Sequence, residues 1–231
     1  MKTLGIIGGV GPESTVDYYQ TLIALYRARN PDGSYPAIVI NSINMRRAVK
    51  AIEAGAFDVL GEFLLAELQR LERAGADFAL LAANTPHIIF KELEARTPLP
   101  LLSIVDATCA AAQARNFKRI GLFGTRFTMQ ADFYRKHFSS HGLEIVVPEP
   151  ADQDYLHQKY MEELVPGIFL PKTKAELLAI VDRLASRTGI EAVILGGTEL
   201  PLILTEPEHN GIAFLNTTRI HCEAAVDRIL S

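Results

Sequence analysis

Short apolar runs bounded by Gly, Asn or Pro alternate along the chain with longer stretches in which apolar positions recur every three or four residues. The short runs are rich in Ile, Val and Leu, whereas the longer stretches can bury one face of a helix. Their alternation predicts repeated βαβ units and a mostly parallel sheet. Strands are expected at 4–7, 37–42, 78–82, 101–104, 119–123, 144–147, 192–195 and 213–216. Helices fill most intervals. Their clearest starts are Pro12-Glu13-Ser14, Asp58 with its stripe Leu60, Phe63, Leu64, Leu68 and Leu71, the segment from Asp106, Met129 to Asp132, Thr173 and Thr217.

The pattern also repeats. Gly5-Ile6-Ile7-Gly8 is matched by Gly121-Leu122-Phe123-Gly124. Phe78-Ala79-Leu80-Leu81 with its following Asn84-Thr85-Pro86 is matched, at nearly the same offset, by Ala192-Val193-Ile194-Leu195 with Thr198-Glu199-Leu200-Pro201. Two like α/β lobes are expected, one from 1–103 with 212–231 and the other from 104–211. Open α/β sheets bind ligands outside the carboxyl ends of their strands, so the four strand-to-loop exits are expected to converge on a cleft between the lobes.

Composition narrows the function without naming it. A chain of 231 residues, 48% hydrophobic and 22% charged, can bury a substantial core, which argues against disorder. A net charge of -4 with no long run of like charge gives nucleic acid no electrostatic foothold. No apolar stretch approaches the roughly 18 residues that span a bilayer, and Met1-Lys2-Thr3 leads directly into a strand, so no membrane association and a cytoplasmic location are expected. Cys109 and Cys222 have no second Cys near enough for a zinc-type pair and read as buried reduced thiols.

Candidate chemistry lies in the four exits. The first, Gly8-Gly9-Val10-Gly11-Pro12-Glu13-Ser14-Thr15, opens a helix with glycines and a proline; Val10 and Gly11 could present main-chain amides to a carboxylate. It has neither the spacing of a dinucleotide turn nor the Gly-Lys-Ser/Thr of a P-loop. In the second, Asn84 and Thr85 are donors for a carboxylate, and His87 could titrate near neutrality or simply orient the loop. The third offers Thr125, Arg126 and Thr128. The fourth offers Thr198 and Glu199, the best placed carboxylate of the chain unless it only caps a helix. Arg46 and Arg47 could pair with an acidic side chain or lie solvated on the surface. The polar segment from Tyr155 to Tyr160 reads as a lid or an oligomer contact.

Together, Gly9-x-Gly11-Pro12-x-Ser14-Thr15, Asn84-Thr85-x-His87, Gly124-Thr125-Arg126-x-Thr128-Met129 and Gly196-Gly197-Thr198-Glu199-x-Pro201 resemble the aspartate/glutamate racemase family nearly end to end. The resemblance implies two similar doubly wound α/β domains related by a pseudo-two-fold axis, an active-site cleft between them and frequent homodimers. It also implies a small amino acid or carboxylate as ligand, and neither pyridoxal phosphate nor metal. In such racemases one cysteine precedes the Asn-Thr pair and another the Thr-Glu pair, and the two exchange the α-proton. Here those positions are Ala83 and Gly197, which cannot carry protons. His87 and Glu199 are the candidate substitutes by residue type, with Thr85 and Thr198 as binders. Three readings stay open: a racemase or epimerase with replaced acid/base groups, a lyase, decarboxylase or isomerase in the same cleft, and a non-catalytic amino-acid binder.

Overall fold

The structure, a computed structural model, describes residues 1–231. Its elements follow in the order β1 (Leu4–Gly8), α1 (Pro12–Arg29), β2 (Ile38–Ser42), α2 (Met45–Glu53), α3 (Phe57–Arg73), β3 (Phe78–Leu81), a 3-10 turn (Thr85–Ile89), α4 (Phe90–Arg96), β4 (Leu101–Leu102) and α5 (Ile104–Ala114). The second half continues with β5 (Arg119–Gly124), α6 (Arg126–Gln130), α7 (Asp132–Ser140), β6 (Glu144–Val146), α8 (Pro150–Lys159), a π-helical turn (Tyr160–Leu164), α9 (Pro171–Thr188), β7 (Ala192–Gly196), α10 (Leu200–Ile203), β8 (Glu208–His209), β9 (Ile212–Asn216) and α11 (Thr217–Leu230). No helix is long and apolar enough to cross a membrane.

Two compact units divide the chain: Met1–Ile104 with His221–Ser231, and Val105–Ile220. The first holds a sheet of order β2-β1-β3-β4, parallel throughout. β1 and β3 are buried along their whole length, as expected of central strands covered on both faces, which is why they read as unbroken apolar runs. Leu4, Ile6, Phe78 and Leu80 pack against Tyr18 and Leu22 of α1 and against Val226 and Ile229 of α11. The stripe of α3 is buried as its spacing requires; each such large apolar side chain contributes about 1.5–3 kcal/mol relative to exposure.

The second unit holds a sheet of order β6-β5-β7-β9-β8. Its first four strands repeat the parallel order of the other sheet, and β8 joins antiparallel. The expected lobe boundary at 212 is corrected here. Residues 212–216 form β9, which pairs with β7 of the second sheet, so the return to the first unit comes at His221, within α11. The segment from Tyr155 to Tyr160 belongs to α8 and opens its π-helical turn. Pro150 starts that helix, and Leu156, Tyr160 and Leu164 enter the core beside Leu177 and Leu195.

Candidate active site

In the first unit, β1 and β3 are neighbours with Ile7 in register with Leu81, and the Ala82 amide donates to the Ile7 carbonyl at 2.9 Å. The turns after both strands therefore leave one end of the sheet side by side. In the first turn, Gly9 has φ 77° and Gly11 φ 95°, where a side chain is strained. A Cβ on Gly9 would also stand 2.5 Å from the Ile43 carbonyl oxygen. Thr15 Oγ1 accepts from the Gly9 amide at 2.9 Å and donates to the Gly11 carbonyl at 3.1 Å, while Ser14 Oγ donates to the same carbonyl at 2.8 Å. These hydroxyls brace the turn. Val10 and Gly11 form its apex, ahead of Pro12, which has no N–H.

Asn84 is buried and Thr85 half-buried at the exit of β3. Arg46 and Arg47 begin α2, whose cap is Asn44 accepting from the Arg46 amide at 3.0 Å. Both arginines are exposed, and the Arg47 guanidinium lies 4.3 Å from the centre of the Phe63 ring.

His87 is held from both sides. Its Nδ1 lies 3.0 Å from the Ala83 carbonyl, which can only accept, so Nδ1 carries the proton; its Nε2 accepts from the Ile104 amide at 3.2 Å. The ring stacks on Phe90 at 4.8 Å. Burial, aided by the neighbouring His221, drives its pKa down to about 3. His221 repeats the arrangement: Nε2 donates to the Leu102 carbonyl at 3.1 Å and Nδ1 accepts from the Tyr18 hydroxyl at 3.0 Å. Its pKa also falls through burial, to about 4. Both imidazoles are neutral at pH 7, and every ring nitrogen of the pair is engaged.

In the second unit, β5 and β7 are the central neighbours, with Gly124 in register with Gly196. A Cβ on Gly124 would lie 2.7 Å from the Gly196 carbonyl oxygen, so glycine is required for this approach. Thr125 caps α6, its Oγ1 accepting from the Thr128 amide at 3.2 Å and lying 3.2 Å from Thr128 Oγ1. Arg126 is exposed and paired with Asp154 of α8 at 2.9 Å.

At the exit of β7, Thr198 and Glu199 are almost fully buried. Glu199 Oε2 accepts from Thr198 Oγ1 at 3.1 Å and, in a short bond, from the Tyr160 hydroxyl. The Tyr160 ring also covers Gly197. A Cβ at that position would lie 2.8 Å from Cζ and 2.9 Å from the hydroxyl oxygen. The space a cysteine side chain would need at 197 is thus filled by a tyrosine. Burial, then the Glu199 carboxylate, hold the Tyr160 pKa well above that of a free phenol, so it keeps its proton. Tyr160 opens the π-helical turn, an irregularity often found at functional sites.

Sequence reasoning missed both Tyr160 and His221. The one usable signal was Gly197 itself, because a glycine at a side-chain position leaves a volume that some other residue must fill. Neither cysteine lies at a strand-end turn. Burial raises the pKa of Cys222 well above the normal thiol value and that of Cys109 to about 11, and both sit on helices rather than at strand exits. Each unit therefore joins two of its strand-end turns into one polar surface, and in the second Tyr160 and Glu199 stand beside Gly197.

Similarity to known proteins follows the same lines. A family model described as Asp/Glu/Hydantoin racemase matches residues 7–225. The broad specificity amino-acid racemase RacX of Bacillus subtilis is 30% identical over 148 residues, covering 62% of this chain and 63% of that protein, just under two thirds of its length. The crystal structure of an aspartate racemase homologue from Pyrococcus horikoshii is 34% identical, with a TM-score of 0.84 and full coverage of both chains. The Picrophilus torridus aspartate racemase, 22% identical with a TM-score of 0.79 over 99% of this chain and 94% of that one, shares the fold. The chain belongs to the Asp/Glu/hydantoin racemase family.

Proposed function

We propose that this chain catalyses racemase-like proton transfer at the α-carbon of an acidic amino acid or a related small carboxylate, with Tyr160 and Glu199 in place of one family thiol. The observation that carries this reading is the Tyr160 ring over Gly197 with its hydroxyl on Glu199. In the forward step the α C–H bond breaks and the phenol oxygen takes that proton while passing its own to Glu199. The electron pair spreads into the substrate carboxylate. Reversal returns the proton from Tyr160 to carbon. Asn84, Thr85 and Thr198 are assigned to carboxylate binding, with Val10 and Gly11 offering main-chain donors and Arg46 a cation. Thr125, Thr128 and Arg126 shape the adjoining turn, and His87 is a positioning residue for Ala83 and Asn84.

The asymmetry of the two turns favours a one-sided reaction. Ala83 occupies the first family position, and both nitrogens of the nearby imidazole are engaged. A single proton carrier returns the proton to the face it came from. Exchange with retention, or decarboxylation or isomerisation ending in protonation from that face, therefore fits better than fast inversion. Family resemblance supports chemistry without pyridoxal phosphate and a homodimer working in the cytoplasm.

The test is incubation with L- and D-aspartate, glutamate and other amino acids in heavy water, read by NMR for α-deuterium and by chiral chromatography for inversion. Deuterium uptake with little inversion, abolished in Tyr160→Phe, is expected. Binding without exchange would make the protein an amino-acid binder and overturn the catalytic reading.

A further inference from the structure

We propose that Cys109, His137 and His141 form a binding site for a divalent transition-metal ion of the zinc type. The site lies wholly in the second unit, on elements that carry none of the strand-end turns described above. One ligand atom from each of the three side chains lies within 4.8 Å of the other two. In a tetrahedral zinc site, bond lengths of about 2.0–2.3 Å set ligand separations near 3.5 Å. Side-chain rotation of about 1 Å closes the difference.

The elements explain why these groups meet. His137 and His141 stand four apart, in the last turn of α7 and at its C-cap, so they share one face of the helix, with ring centres 4.7 Å apart. Cys109 lies on α5, one turn after Asp106. Asp106-x-x-Cys109 from one helix faces His137-x-x-x-His141 from the other, two spacings that place metal ligands on a common helical face.

Second contacts prepare the imidazoles. His141 Nδ1 lies 2.9 Å from the His137 carbonyl, which fixes the proton on Nδ1 and turns the Nε2 lone pair outward as a ligand. Asp106 Oδ1 lies 3.4 Å from His137 Nε2, the carboxylate partner that metal-bound histidines usually carry. Exposure grades from buried Cys109 through half-buried His137 to exposed His141, so an ion can enter past His141 and bind the Cys109 sulfur, displacing the thiol proton to solvent. A thiolate with two imidazoles selects zinc, cobalt or copper over magnesium and calcium, which prefer oxygen. Water completes the fourth position.

The experiment is titration of the chelator-treated, reduced protein with Zn²⁺ and Co²⁺. One Zn²⁺ per chain is expected by equilibrium dialysis. Co²⁺ should give tetrahedral d–d bands and a thiolate charge-transfer band, both displaced by Zn²⁺. His141→Gln, an exposed change that leaves the core intact, should weaken binding by at least about 10–100-fold, the loss typical even of an outer-shell partner. Cys109→Ser should remove the charge-transfer band, and Cys222→Ala should retain it. Absence of one-to-one uptake at micromolar Zn²⁺, an octahedral cobalt spectrum without the thiolate band, or unchanged affinity in His141→Gln would each overturn the proposal.

Discussion

Tyr160 hydrogen-bonds Glu199 through its hydroxyl while its ring occupies the side-chain space of Gly197. Restoring a cysteine at 197 therefore cannot be neutral. Gly197→Cys alone should destabilise the protein by about 1–3 kcal/mol, as overpacking does. Combination with Tyr160→Ala should recover part of that loss, and urea denaturation of the four variants in the cycle reads the coupling. Additive effects would show that the ring does not fill this space.

Two-sided racemisation should appear only when three positions change together. In Ala83→Cys/Gly197→Cys/Tyr160→Ala, chiral chromatography of aspartate and glutamate should detect inversion above the starting protein. Ala83→Cys alone should add little, because the second position stays covered. Inversion equal to that of the starting protein in a folded triple variant would count against the family geometry of these turns.

The neutral histidine pair makes stability depend on pH. His87 and His221 have folded pKa values of about 3 and about 4, both below the ordinary 6.5. The unfolded chain thus binds protons that the folded chain refuses. Their contribution is complete above pH 6.5 and is lost as pH falls toward the folded values. Each imidazole should lower unfolding free energy by about 1.4 kcal/mol per pH unit below 6.5. Urea midpoints measured from pH 7.5 to 5, above the main carboxylate range, check the slope, which His221→Gln should roughly halve.

Carboxylate binding should depend on the side chains at the strand-end turns. Asn84→Ala and Thr198→Ala should each weaken the binding of an active amino acid by about 1–3 kcal/mol, the cost of an unmet polar partner. Calorimetry reads the loss for each variant. Unchanged affinity would remove the residue from the site.

The two adjacent arginines should separate in behaviour. Arg47 stacks on Phe63, so Arg47→Ala should cost about 0.5–1 kcal/mol of stability. Arg46→Ala should leave stability unchanged and weaken binding of acidic ligands relative to alanine. Equal effects of the two changes on ligand affinity would contradict this division.

The eight expected strands are present because parallel central strands such as β1 and β3 are apolar at every position, a signal that needs no tertiary knowledge. The two-residue β8 had no such run and was missed. The strand-end turns were legible because Gly9, Gly11 and the Asn84-Thr85 pair follow those runs directly. The partners of the turns were not. Tyr160 reaches Gly197 across 37 positions, through a helix whose sequence is mostly polar and reads as surface. His221 meets His87 only because α11 packs on the first sheet. The Asp106-x-x-Cys109 and His137-x-x-x-His141 pairs are not legible as one cluster in the sequence, because only the fold brings α5 and α7 together.

The first unit is closed by residues from the far end of the chain. Cys222, Ala225, Val226 and Ile229 complete its core, and His221 ties Tyr18 to the exit of β4. During synthesis the first sheet therefore stays partly uncovered until these residues emerge behind the inserted second unit. Premature termination near residue 220 would leave the earlier-made half unfinished and sticky.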